Sequence, residues 1–436
     1  MAIIELGLDR AGPPDTRTFR TRPRWPNARL WRLVVALAVV VATLGGAAVT
    51  GRPVPAYASV PLPPGSSFRL TGDAIYVAAS VRNGTEISAY TATGGFRWGY
   101  GLASPTDFVS VTPTRPAALV QYGEHPIVLG LDPATGDRLW LTVGAEIFYT
   151  TADRVLLATQ MLDGTEVAWS DARTGDTLWS VKVDQTSSIG IGDPAEAPGR
   201  SVGPGHLYVV TADGNVRDLT LADEPAERDS TIAKPARRPP LVFTVGDRLL
   251  VVGLGRSLAQ VQAYDTAGFQ PLWTHGYSGG GIGAPSMTVV PCAAVLCEVA
   301  GDDVYGVAPD TGVLTWDMPG SAVRTAGAWL LATPASPAVD ATGRPGIGIR
   351  VLDATSGATL LELPGWQLSW ASAHDGAVLL ADGGSTGLTQ LATIDPGAAA
   401  PRLSVVGAVP RVTGECQRTA GFVGCPTGNR LSVWRG

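Results

Sequence analysis

Hydrophobic and polar positions along this chain fall into two regimes. From Leu33 to Gly51 there are nineteen residues without a charge, LVVALAVVVATLGGAAVTG. As a helix rising about 1.5 Å per residue they span about 28 Å, close to the hydrocarbon core of a bilayer. After residue 60 the pattern changes to short alternating or apolar runs such as AIYVAAS, EISAY, RVLLATQ and EVAWS. Turn clusters separate them, among them Arg82-Asn83-Gly84 and Asp163-Gly164. Runs of this length and period predict strands joined by hairpins.

One phrase recurs among these runs. It reads TATGGFRW at 91–98, LDPATGDRLW at 131–140, SDARTGDTLW at 170–179, YDTAGFQPLW at 264–273, APDTGVLTW at 308–316 and LDATSGATLLEL at 352–363. Asp132, Asp171 and Asp265 each precede a Trp slot (Trp140, Trp179, Trp273) by eight residues, and Asp353 and Asp395 keep that distance from Leu361 and Leu403. A degraded copy places Asp218 before Ala226, and Tyr90 and Ala308 stand at the Asp slot before Trp98 and Trp316. Slots at a period of 40–50 residues mean a solenoid or a propeller. Four short strands per period decide for the propeller. Asp closes the turn between the third and fourth strands, Gly136 and Gly175 take its φ > 0 position, and the Trp ring is a wedge between blades.

The L-D-x-x-T-G-x-x-L-W phrase resembles the pyrroloquinoline-quinone (PQQ) repeat family of β-propellers. The expected fold class is therefore all-β: a propeller of about eight four-stranded blades over residues 66–436, preceded by one transmembrane helix. Eight slots are visible, and residues 411–436 leave a three-strand remainder. Residues 57–62 closing that remainder would make nine. Segments 184–200, 221–240 and 334–347 read as loop insertions.

The amino terminus fixes the compartment. Residues 1–32 carry seven arginines against three acids, so this tail stays in the cytoplasm and the body lies outside. The expected organisation is a cytoplasmic tail at 1–32, a membrane helix at 33–51, a linker at 52–65 and the propeller at 66–436. The alternative is secretion after cleavage near Ala58, because Ala56-Tyr57-Ala58 fits the small-x-small pattern. The four cysteines agree with an oxidising compartment and form two local pairs, Cys292–Cys297 and Cys416–Cys425. Each pair is expected to face across the hairpin of the first two strands of a blade, with SMTVVPC and RVTGEC as innermost strands.

Candidate chemistry is sparse. A net charge of -6 argues against a nucleic-acid partner. The enzymatic relatives implied by the resemblance hold PQQ and calcium under a ring of adjacent cysteines, whereas Cys292 and Cys297 are separated by four residues. Gly276-Tyr277-Ser278-Gly279-Gly280 matches the nucleophile-elbow pattern without a following helix. His125, His206, His275 and His374 fall in four different repeats, so no metal or cofactor is expected. The resemblance implies a non-catalytic interaction module or envelope scaffold with a protein partner. A small-molecule sensor ectodomain and a PQQ-dependent dehydrogenase are the alternatives.

Overall fold

The computed structural model describes residues 53–436 except 104–108, 124–125, 193–204, 236–238, 255–257, 279–286, 293–294, 301–302, 335–347, 373, 384–385, 399 and 420. The tail and the membrane segment at 33–51 lie outside the described residues. Among the described residues no helix is long and apolar enough to cross a membrane.

The described strands form nine four-stranded antiparallel sheets, one more than the eight expected. Blades 1 to 8 cover residues 67–102, 109–143, 145–184, 188–231, 241–278, 287–318, 321–364 and 366–410. In each the strands lie side by side in chain order. Blade 9 takes three strands from 417–435, and its outermost strand, Ala58–Pro61, comes from the other end of the chain. Ala58 pairs with Val433 and Val60 with Leu431, both valines fully buried. Thus 57–62 does close the remainder.

Blade 4 is a complete sheet whose outermost strand, Glu227–Thr231, runs through the segment expected to be a loop at 221–240. Its signature is also displaced. Thr220, not Asp218, opens the turn, its amide bonding Ala226 O at 3.0 Å as Asp132 bonds Asp137 O in blade 2. Asp218 sits inside the third strand opposite Arg228, so the Trp slot belongs to Arg228 rather than Ala226. In blade 1 Thr91 takes the turn position expected of Tyr90, accepting the Gly95 amide at 2.9 Å.

Both local disulfides are present, and the register around them differs from the expectation. Cys292 pairs with Val295 and Cys297 with Val290, so the bridge runs diagonally across a hairpin whose strands end at Cys292 and resume at Val295. Cys416 lies just before the innermost strand of blade 9, which is Gln417–Thr419 rather than RVTGEC. Gln417 pairs with Gly424, bringing Cys416 level with Cys425 at a Cα separation of 4.3 Å. That spacing is usual for a directly opposed, non-hydrogen-bonded pair. In both blades the second strand carries one cysteine of the bridge.

Burial follows the seams between blades. Tyr76, Trp98 and Leu102 of blade 1 pack against Val120, Leu129 and Leu131 of blade 2. Equivalent clusters join blade 3 to 4, blade 6 to 7 and blade 9 to 1. The core is therefore a ring of interfaces, and each blade is stable only with its neighbours.

Candidate functional site

The signature residues are absorbed by the fold. The Asp132 carboxylate accepts the amides of Ala134 at 2.8 Å and Thr135 at 3.1 Å. Asp171 does the same for Arg173 and Thr174, and Asp353 for Thr355 and Ser356. Asp265 accepts Gly268 and Gln270 instead. These hydrogen bonds occupy acceptor positions of each carboxylate within its own turn.

Each signature tryptophan reaches across a seam. Trp98 Nε1 donates to Pro133 O of the next blade at 3.0 Å, Trp140 to Ala172 O at 2.9 Å, and Trp273 to Pro309 O at 2.8 Å. Trp316 donates to Ala354 O at 2.9 Å and Trp179 to Ala222 O at 2.8 Å. The indoles of Trp98, Trp140, Trp273 and Trp316 then lie on the turn glycine of that next blade, whereas the blade 4 turn that Trp179 reaches has none. A Cβ on Gly136 would stand 2.7 Å from the Trp98 ring, and one on Gly175 2.7 Å from Trp140. Glycine is needed there twice over, because both positions also have φ near +75°.

One seam uses other residues. Arg228, in the Trp slot of blade 4, donates to Thr266 O, the carbonyl that a tryptophan would use. Blade 5 carries Phe269, at φ 55°, where blades 2, 3, 6 and 7 carry the turn glycine. The Arg228 guanidinium lies 4.8 Å from the Phe269 ring centroid, and its other face meets buried Asp218 at 2.7 Å. Asp218 also contacts His206 Nδ1 at 2.7 Å. Sequence reading missed this set because Thr220 and Arg228 keep the eight-residue spacing but replace the Asp and the Trp by which the phrase is recognised.

Open surface chemistry is concentrated in grooves. One, of about 560 Å³, is lined by Phe148, Met161 and Leu241 together with Glu146, Gln160 and Asp184. Phe148 and Met161, which line the same groove, are each more than 40% exposed. Hydrogen bonds from Thr186 hold the Asp184 carboxyl below the usual range, so it stays ionised. A second cleft, of about 650 Å³, lies where Val54, Tyr57 and Trp434 meet blade 8.

Residues for quinone or metal chemistry do not assemble. Among the described residues no group of three or more His, Cys, Asp or Glu is placed to hold a metal ion. Both cysteine pairs are fixed within hairpin geometry, so neither supplies the adjacent-cysteine ring of the quinoprotein enzymes. The described residues do not fit PQQ with calcium. Gly276, Tyr277 and Ser278 end the outermost strand of blade 5, while Gly279, Gly280 and His125 lie outside the described residues. Ser278 therefore stands at a strand end, and His206 and His374 lie in other blades.

Nine closed blades, with Asp-closed turns and seam-crossing tryptophans, define a β-propeller of PQQ-like repeats. A family model described as outer membrane protein assembly factor BamB matches residues 124–364, more than half of the chain. The chain belongs to that family. No curated protein matches it. Among solved structures, one of the eukaryotic initiation factor is 12% identical with a TM-score of 0.54, covering 83% of this chain and 93% of that one. BamB from Moraxella catarrhalis is 13% identical with a TM-score of 0.45, over 87% of this chain and 99% of that one. The WD40 domain of Toxoplasma gondii coronin is 11% identical with a TM-score of 0.33, over 87% of each chain. The initiation-factor match speaks to the fold alone, and the other two superpose too loosely to carry an argument.

Proposed function

We propose that this chain is a single-pass membrane protein, N-terminus inside, whose extracytoplasmic propeller is a non-catalytic protein-interaction scaffold of the envelope. The observation that carries the reading is the groove containing Phe148, Met161 and Leu241. Exposed apolar side chains interleaved with polar ones are the usual makings of a protein contact. The signature aspartates and tryptophans, by contrast, are committed to turns and seams.

The anchor reading draws support from the closing strand. Cleavage after Ala58 would remove Tyr57, whose amide bonds Val433 O at 2.7 Å, and Ala58 itself, which is 5% exposed. It would also remove Val54, whose carbonyl accepts from Trp434. A secreted product would thus lose part of its ninth blade.

Photocrosslinking in intact cells tests the scaffold role. A photoreactive residue at Phe148, Met161 or Leu241 is expected to trap one recurrent protein, and the same residue at Leu360, exposed on blade 7, is not. Turnover of alcohols or sugars by the purified chain with PQQ and calcium would overturn the non-catalytic reading. For topology, a reporter active only outside the cytoplasm is expected to work when fused after Ser59 and to fail after Trp25.

A further inference from the structure

Blade 6 breaks a rule that its neighbours keep. On the second strand, the residue next to the one aligned with the Trp slot faces the preceding blade. In blades 1, 2, 3, 4, 5 and 7 it is Val77, Val120, Leu157, Val209, Val251 and Ala332, all buried aliphatics. In blade 6 it is Glu298, 0% exposed. Among the described residues its Oε1 has no hydrogen-bond partner. Across the seam, blade 5 presents His275, where blades 1, 3 and 6 present Tyr100, Val181 and Met318 and blades 2 and 4 present the uncharged Thr142 and Ser230. His275 Nδ1 is 3.4 Å from Glu298 Oε2, and its ring lies against Trp273 at 4.8 Å between centroids. The two exceptions occur together, at one seam, in contact.

We propose that Glu298 and His275 form a proton-operated latch between blades 5 and 6, closed while the pair holds a proton and loosened once the last one leaves.

A bare carboxylate in an apolar seam is costly, and more so with one oxygen unpaired. A proton on either residue removes that state, as a neutral acid or as an ion pair. Burial pushes the Glu298 carboxyl up, and the His275 charge opposes this only in part. Among the described residues, the other groups on this face include no cation that would favour the bare carboxylate. Tyr305 stands beside Glu298 on the third strand, Asp317 is opposite Tyr305 on the outermost strand, and the charge of Asp303 reaches Tyr305 as well. The innermost strand of blade 6 contributes Val289 and blade 5 contributes Val261, neither charged.

The direction follows. Between the ordinary carboxyl range and the raised native one, the folded chain binds more protons than the unfolded chain, so the seam weakens as pH rises. Hydrogen exchange of the full chain in detergent, corrected for intrinsic pH dependence, reads this locally. Peptides covering Pro271–Ser278 and Val295–Ala300 are expected to exchange faster as pH rises, by up to about tenfold per unit for one proton. Glu298→Gln keeps the shape without the charge, and Glu298→Leu restores the aliphatic of the other blades; both are expected to give a flat profile. Peptides at the seam of blades 1 and 2 serve as the pH-insensitive reference. A wild-type profile as flat as that reference, or a slope that survives in either variant, would overturn the latch.

Discussion

The guanidinium of Arg228 and the ring of Phe269 occupy the places held at other seams by an indole and a glycine. The exchange is reciprocal: a smaller apolar surface on blade 4 is matched by a larger one on blade 5. Phe269 is 3% exposed and meets Tyr208 edge-on, with ring centroids 6.1 Å apart, so the ring fills the seam. Arg228→Ala and Phe269→Ala are each expected to destabilise, the second by about 3–4 kcal/mol. Because one ring covers the other's charge, the double mutant should lose less than the sum by roughly 0.5–2 kcal/mol. A denaturant-based double-mutant cycle reads this. Strict additivity would refute the coupling.

The indole–glycine contact can be isolated with a matched pair of substitutions. Gly65 and Gly136 share a φ of +77°, but a Cβ on Gly65 would meet nothing within 4 Å. Gly65→Ala is expected to cost about 1 kcal/mol, the price of the left-handed backbone alone. Gly136→Ala should cost a further 1–3 kcal/mol as the Trp98 ring is pushed out. Equal losses would show that the ring moves freely.

Peptide mapping without reductant should recover only the 292–297 and 416–425 linkages. Their short loops imply limited stabilisation, about 2 kcal/mol for the first and about 3 kcal/mol for the second. Replacing Cys416 and Cys425 by alanine is nevertheless expected to have the wider effect. That bridge ties the innermost strand of blade 9, and Gln417 next to it binds Phe68 O and the Leu70 amide of blade 1. Limited proteolysis should then cut first around blade 9. Earlier cutting in the 292–297 variant would refute this order.

Val60→Asp probes closure from the other end. Val60 is fully buried in the strand that completes blade 9. A carboxylate there is expected to cost at least about 3 kcal/mol and to speed cleavage near both termini. Unchanged cleavage would mean that the terminal strand is dispensable.

Much of this was legible in the chain because it is local. Asp132 and Asp171 close their turns with amides two and three residues away, so spacing alone reveals them. The tryptophans were legible as wedges, although which carbonyl each would reach depends on the neighbouring blade. The ninth blade was obscured because its strands are about 370 residues apart in sequence, and hairpin spacing carries no such signal. Arg228 was hidden because it stands eight residues after a Thr rather than an Asp, and is itself not a Trp. The groove around Phe148 and Met161 had no linear signature, since its walls come from blades 3, 4 and 5.

The origin of the outermost strand of blade 9 bears on how the chain is made. Ala58–Pro61 is among the first segments of the propeller to be synthesised, and its partner Arg430–Arg435 is the last. Any nascent or truncated chain leaves this apolar strand with a bare edge, open to non-native pairing. That edge is covered only once Arg430–Arg435 has been made, so the ninth blade is the last of the nine to close.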